Sequence, residues 1–272
     1  IFNNRQIIKS DLIPHFWRAP LDNDLGNLMH TRTASWKNVD KELTLEYFQR
    51  SLANNVAKVK VITKHKTTGS RITMTYRIYG NGLIDIQQQL KTGNKRLPEL
   101  PRFGMKMTLP KDFNRLTWFG RGPHESYWDR KTSAAVKVFS GSVWDQTYPY
   151  VRPQETGNKT DVRWMALDNG TIGLLAIGQP TFDGSVHNYP YSDLDYVPAG
   201  RLHGKLDLKP KNQVDWLIDY RQTGVGGDNS WGARPHLKYT LTGKSISYEY
   251  HFYLRPFVKN DDLMTLSKLK IK

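Results

Sequence analysis

The most regular feature of this chain is a period of two. From Ser245 to Tyr253 every second residue is apolar or aromatic, and Arg71–Tyr79 alternates in the same way. That is the pattern of an antiparallel strand covered on one face. Comparable runs occupy Leu43–Phe48, Val56–Thr63, Leu83–Leu90, Arg102–Leu109, Ala135–Phe139, Val162–Leu167, Ile172–Ile177, Val214–Tyr220, Leu237–Leu241 and Ser245–Leu254. Tyr79-Gly80-Asn81-Gly82, Asp168-Asn169-Gly170 and Thr242-Gly243 fall between runs, where hairpins need residues that tolerate positive φ. Helical pattern is confined to short stretches such as Ser192–Leu194. The expectation is an all-β fold, a sandwich of two large, mainly antiparallel sheets. No repeat and no linker divides it, so residues 1–272 form a single domain.

Four segments break the strand rhythm: His15–Trp36, Gly120–Asp161, Asp183–His203 and Gly224–His236. All are rich in Gly, Pro, Trp, Tyr, Asn and Asp. Long ordered loops in a compact β domain usually carry function. Loops of this composition, gathered at one edge of a sandwich, would suit sugars. The C–H faces of a sugar stack on rings while its hydroxyls bond to Asp, Asn and Arg.

With 38% hydrophobic and 12% aromatic residues, 272 residues are enough for one large β core. The net charge of +15 raises the question of a phosphate-bearing partner. However, Lys58, Lys60, Lys64 and Lys66 alternate with Val59, Val61 and Thr63, as on the solvated face of a strand, and no nucleic-acid motif accompanies them. Neither nucleic acid nor membrane is expected as a partner, since no apolar run approaches the roughly 20 residues that span a bilayer. The absence of cysteine excludes disulfides and thiolate metal sites, and it fits a cytoplasmic or a periplasmic protein equally. The sequence opens on Ile1-Phe2-Asn3-Asn4 rather than Met, and reads as a piece of something longer.

Little in these residues is catalytic by itself. Acid–base catalysis by a carboxylate pair would need two such groups about 5–5.5 Å apart, one with a raised pKa. The loop carboxylates Asp22, Asp24, Glu125, Glu155 and Asp228 are the available candidates. The weightier reading has them tie loops to backbone amides or to Arg121 and Arg152. The eight histidines show no metal-ligand spacing, and His124-Glu125 lacks the second His of a zinc-protease helix. Gly224-Val225-Gly226-Gly227 lacks the ending of a phosphate loop.

The loop segments carry a resemblance. His15-Phe16-Trp17-Arg18-Ala19-Pro20-Leu21-Asp22-Asn23-Asp24-Leu25-Gly26 is similar to the opening motif of the C-terminal domain of glycoside hydrolase family 2 β-galactosidases. Gly120-Arg121-Gly122-Pro123-His124-Glu125-Ser126-Tyr127-Trp128-Asp129-Arg130, continued by Tyr148 to Gly157, resembles a second signature. Gly224-Val225-Gly226-Gly227-Asp228-Asn229-Ser230-Trp231 resembles a third.

The resemblance implies a β-supersandwich like that of galactose mutarotases. It also implies retaining hydrolysis of terminal β-D-galactosides by a longer enzyme whose two catalytic glutamates lie in a barrel domain or large subunit, so that this chain alone is inactive. It further implies magnesium and sodium in the parent enzyme, with none held here, and a homo-oligomer. Trp231 is the residue it places against substrate. Gly26 and Asn27, with Asp22 and Asp24 before them, match a mobile active-site loop; the alternative is that the two aspartates cap a turn. Asp228, Asn229, Glu155 and Trp128 are further sugar-facing candidates.

Two other functions fit the same residues. A mutarotase-like sugar epimerase would use His187 or His203 with Glu155, and a lectin-like module would bind sugar on Trp231, Trp128 and Tyr150.

Overall fold

In the computed structural model, residues 1–93, 96–197, 208–229, 231–244 and 246–268 are described. The strands are β1 (Ser10–His15), β2 (Leu43–Ala53), β3 (Val56–His65), β4 (Arg71–Tyr79), β5 (Ile84–Lys91), β6 (Arg102–Leu109), β7 (Arg115–Gly122), β8 (Ala135–Ser142), β9 (Lys159–Asp168), β10 (Ile172–His187), β11 (Val214–Gln222) and β12 (Ser247–Val258). Three short helices join them: α1 (Asp22–Gly26), α2 (Met29–Arg32) and α3 (Leu263–Ser267).

All strand pairs are antiparallel, in the order β1-β6-β11-β10-β12-β5-β4-β3-β2, with β9, β7 and β8 branching from β10. The branch arises within β10 itself. Its first half, Ile172–Gln179, pairs with β12 and Asp183–His187 pairs with β11, while β9 pairs along the other edge from Gly173 to Gly184. All twelve strands therefore belong to one continuous antiparallel sheet, as the expected all-β fold requires, and it branches at this long strand.

Alternation explains the core. Met74 of β4, Ile86 of β5, Phe103 and Met105 of β6, Trp118 of β7, Leu174 of β10, Trp216 of β11 and Phe252 of β12 share one buried cluster. Successive strand residues face opposite sides, so Leu175 and Ile177 point the other way. They are buried with Trp164 and Phe257 beneath Leu263, Met264 and Leu266 of α3. Asp262 starts that helix by accepting bonds from the Met264 and Thr265 amides, both at 3.2 Å. The sheet's inner face also runs on past the core. Leu45, Phe48 and Leu52 on the edge strand β2 are 60%, 54% and 77% exposed.

Four expectations are corrected. Leu237–Leu241 is not a strand: Leu237–Tyr239 is a single 3-10 turn, and only Leu241 makes an isolated bridge, to Leu100. Thr242-Gly243 accordingly closes no hairpin. The irregular stretch placed at Asp183–His203 begins as strand, because β10 continues to His187. Finally, β1 and β7 are strands that the pattern did not mark.

Candidate functional site

The three motif segments meet at one end of the sandwich, and charged side chains fasten them together. Arg18, buried before α1, clasps Asp24 with both carboxylate oxygens at 2.7 and 2.8 Å. It also donates to the carbonyls of Thr223 and Gly224, the latter at 3.0 Å. Asp24 closes the first turn of α1 by accepting the Leu21 amide at 3.0 Å. Asp129, from the second segment, accepts the Val225 and Gly226 amides at 3.0 and 2.7 Å and so holds the start of the third. Asp22 is exposed and pairs with Arg152, whose Nε lies 2.6 Å away, and with Gln154.

Trp231 stands out from this frame. Its ring is 90% exposed, while its own amide and that of Ala233 donate to Asn229 Oδ1 at 2.9 and 3.3 Å. Next to it, Gly232 has φ of +97° and presses on Gly26: a Cβ on Gly26 would lie 3.0 Å from Gly232 Cα. Gly26 is therefore required for close approach as much as for any hinge. The segment after it packs down through Met29, Thr33 and Trp36, all buried. Gly232→Ala would set a Cβ 2.5 Å from the Gly26 carbonyl carbon in a conformation L-residues rarely adopt. Such strain costs on the order of 1–3 kcal/mol. We expect a lower melting temperature and faster proteolytic nicking within residues 224–236; an unchanged melt and digest would refute the role of this contact.

The other candidate side chains are also placed. Asp228 is exposed and pairs with His236 at 2.7 Å. Trp128 is half-buried, with the Arg221 guanidinium over its ring at 4.6 Å and Tyr239 edge-on. Tyr150 donates to Glu125 Oε1 at 2.5 Å. Burial would raise the Glu125 pKa, but Tyr150, the Gly157 amide and Arg130 hold the carboxyl below its ordinary value. Glu155 does not face the loop surface; it is fully buried and takes bonds from Arg102, Tyr191 and Gln222. His187 lies in the same interior, its ring 5.4 Å from that of Tyr191, and burial drives its pKa down to about 3. His203 falls outside the described residues.

Two clefts flank α1. One of about 380 Å³ is lined by Asp22, Asn23, Asp129, Tyr150, Gln154 and Gly226. The other, of about 500 Å³, lies against Arg18, Asp24, Asn27, Arg32, Glu99 and Arg234. Among the described residues no group of three or more His, Cys, Asp or Glu could hold a metal ion. No helix among the described residues is long and apolar enough to cross a membrane.

Residues 1–254 match the family described as beta galactosidase small chain. The chain belongs to that family. A β-galactosidase of Priestia megaterium is 37% identical over 256 residues, covering 94% of this chain and 24% of the relative. A β-galactosidase of Lactobacillus delbrueckii subsp. bulgaricus is 32% identical over 230 residues, covering 83% and 22%. The small-chain sequence therefore spans about a quarter of the length of these curated relatives. A galactose 1-epimerase of Lactobacillus acidophilus aligns with 78% of this chain and 66% of its own at a TM-score of 0.43 and 7% identity, a likeness too distant to speak to function.

Proposed function

We propose that this chain is the C-terminal domain of a family 2 β-galactosidase that hydrolyses terminal β-D-galactosides with retention, and that it walls the substrate pocket without supplying the catalytic carboxylates. The observation that carries this reading is Trp231, a large ring held almost wholly in solvent by a loop fastened at both ends to the other motif segments. An exposed aromatic face on a pinned backbone is what stacking on a pyranose requires.

The loop carboxylates support the second half of the proposal, because each already holds a partner within the chain. Asp22 has Arg152, Asp24 has Arg18, Glu125 has Arg130, Glu155 has Arg102 and Asp228 has His236. None is left unpaired beside a second free carboxylate, the arrangement that retention demands. The glutamates that do this chemistry would come from the barrel domain or large subunit that packs against the loop face. The uncovered apolar residues of β2, together with Val151 and Leu237 at 82% and 90% exposure on the loops, supply surface for that partner and for a homo-oligomer.

The test uses the full-length enzyme and the chain alone. Trp231→Ala in the full-length enzyme should lower kcat/KM for lactose about tenfold, corresponding to ~1–2 kcal/mol of lost stacking. Trp231→Phe should recover most of that. The isolated chain should turn over no chromogenic β-galactoside. Hydrolysis by the chain alone, or wild-type kinetics in Trp231→Ala, would overturn the assignment.

A further inference from the structure

The sequence contains two Asn-Gly pairs, and both lie in turns between strands. Asn81-Gly82 joins β4 to β5, and Asn169-Gly170 joins β9 to β10. Asparagine before glycine is a labile amide, because no side chain on the glycine shields its backbone nitrogen from the asparagine carboxamide. Backbone conformation does not separate the two sites, since Gly82 and Gly170 have φ of +81° and +86°. The surroundings of the side chains do.

Asn169 is half-buried and fastened at both side chain and backbone. Its Nδ2 donates to Asp112 Oδ2 at 3.0 Å, its Oδ1 accepts the Thr171 and Ile172 amides, both at 3.0 Å, and its own amide donates to the Ile172 carbonyl at 3.1 Å. The nitrogen that would attack it, Gly170 N, is held on the Asp168 carboxylate at 2.7 Å, a charge-assisted bond. Asn81 is exposed. Its Oδ1 takes the Leu83 amide at 3.1 Å, and its Nδ2 has no hydrogen-bond partner among the described residues. Gly82 N donates to a neutral acceptor, the Tyr79 carbonyl, at 3.0 Å. Opening the turn at Asn169 thus breaks these five bonds, and opening the turn at Asn81 breaks two.

We propose that Asn81 is a site of spontaneous deamidation and that the fold protects Asn169, which has the same neighbour. Gly82 N attacks Asn81 Cγ, the Cγ–Nδ2 bond breaks, and ammonia leaves with the proton that Gly82 gives up. Water then opens the resulting succinimide at either carbonyl, to leave aspartate or isoaspartate. Either product adds a negative charge to the turn. Isoaspartate also lengthens the main chain between Tyr79 and Leu83 by one methylene. That turn has little slack: Leu83 is buried, Tyr79 N donates to its carbonyl at 2.9 Å, and a Cβ on Gly82 would lie 3.2 Å from Pro256 Cγ on β12.

Peptide mapping by mass spectrometry, on full-length enzyme aged in mildly alkaline buffer, tests the assignment. Asn81 should convert at least about tenfold faster than Asn169, a difference of ~1.4 kcal/mol that the three additional bonds at Asn169 can supply. In urea, where both turns are open, the two sites should convert at equal rates. Asp112→Ala removes one bond to Asn169 and should speed that site about fivefold while leaving Asn81 unchanged. The isoaspartate-containing fraction should unfold at lower urea than the unmodified enzyme. Equal rates in the folded enzyme, or no conversion at Asn81, would overturn the proposal. A rate ratio that persists in urea, or an Asn169 rate unmoved by Asp112→Ala, would overturn the protective role of the fold.

Discussion

Arg102→Met is expected to destabilise the chain by about 3–5 kcal/mol, the usual result of stripping the partner from a buried charge. Arg102 lies at the start of β6 with no exposed surface. Its Nη2 donates to Glu155 Oε2 at 3.0 Å, its Nε lies 3.4 Å from Asp219 Oδ2, and its guanidinium sits 4.9 Å over the Tyr191 ring. Glu155 and Asp219 are themselves fully buried. Burial raises the Asp219 pKa well above its ordinary value against the pull of Arg102, and the direct hydrogen bond from Arg102 goes to Glu155. The network continues outward: Gln222 bonds Glu155 at 3.2 Å and Asn158 at 3.0 Å, and Asn158 bonds the Ser126 carbonyl at 2.8 Å. Loss of Arg102 should therefore loosen the segment around residues 154–158 that carries Gln154 into the cleft. Arg102→Lys keeps the charge but not the fork and should fall between wild type and Met. Adding Glu155→Gln to Arg102→Met removes the stranded charge and should restore part of the loss. Urea unfolding measures all of these. A midpoint unmoved by Arg102→Met would show that the ion pair contributes nothing.

The strands were legible where alternation was long and uninterrupted. All but one of the runs read from the sequence fall on strands, because burial of one face fixes a period that composition alone reveals. The exceptions have local causes. Pro14 interrupts β1, and a proline in a short run argues against a strand unless that strand is an edge, which β1 is. In β7 the buried positions after Leu116 and Trp118 are Gly120 and Gly122, which look like loop. Gly122 is there because a Cβ would fall 2.8 Å from the Trp118 ring. Leu237–Leu241 has the apolar content of a strand but sits on the loop face, where Leu237 is exposed.

The loop face was legible as motifs, and the contacts joining those motifs were not. Arg18 with Gly224 and Asp129 with Gly226 span 206 and 97 positions, which no local pattern reports. The interior network around Arg102 was missed for the same reason. One signal was present: Val214-Asp215-Trp216-Leu217-Ile218-Asp219 places two acids in an otherwise apolar strand, and both are buried in the structure. An acid in such a strand needs a long-range partner.

Asp183→Asn is expected to flatten one component of the pH dependence of stability, by an amount reaching about 4 kcal/mol. Asp183 is buried on β10, just past the point where that strand changes partners. Burial lifts its pKa to about 7 from an ordinary 3.8; Arg221 opposes the rise and Asp161 adds to it. The folded state thus holds a proton that the unfolded chain has released between these two values. Stability from this group is complete below about pH 4, declines as pH rises toward 7, and stays lost above it. The gap of about three pKa units at 1.36 kcal/mol each sets the size. His15 and His187 act in the opposite direction, because burial depresses both. They must gain protons on unfolding, so their contribution is present above about pH 6.5 and falls as the solution is acidified. Between pH 4 and 6.5 the two effects offset each other, and the wild-type profile alone would hide them. The difference between wild type and Asp183→Asn cancels the histidines. It should shift in favour of the variant steadily from pH 4 to 7, then hold constant to pH 8.5, as read from urea midpoints at each pH. A difference that does not vary with pH would show that Asp183 carries no proton in the folded chain, and that Arg221 keeps it ionised despite its burial.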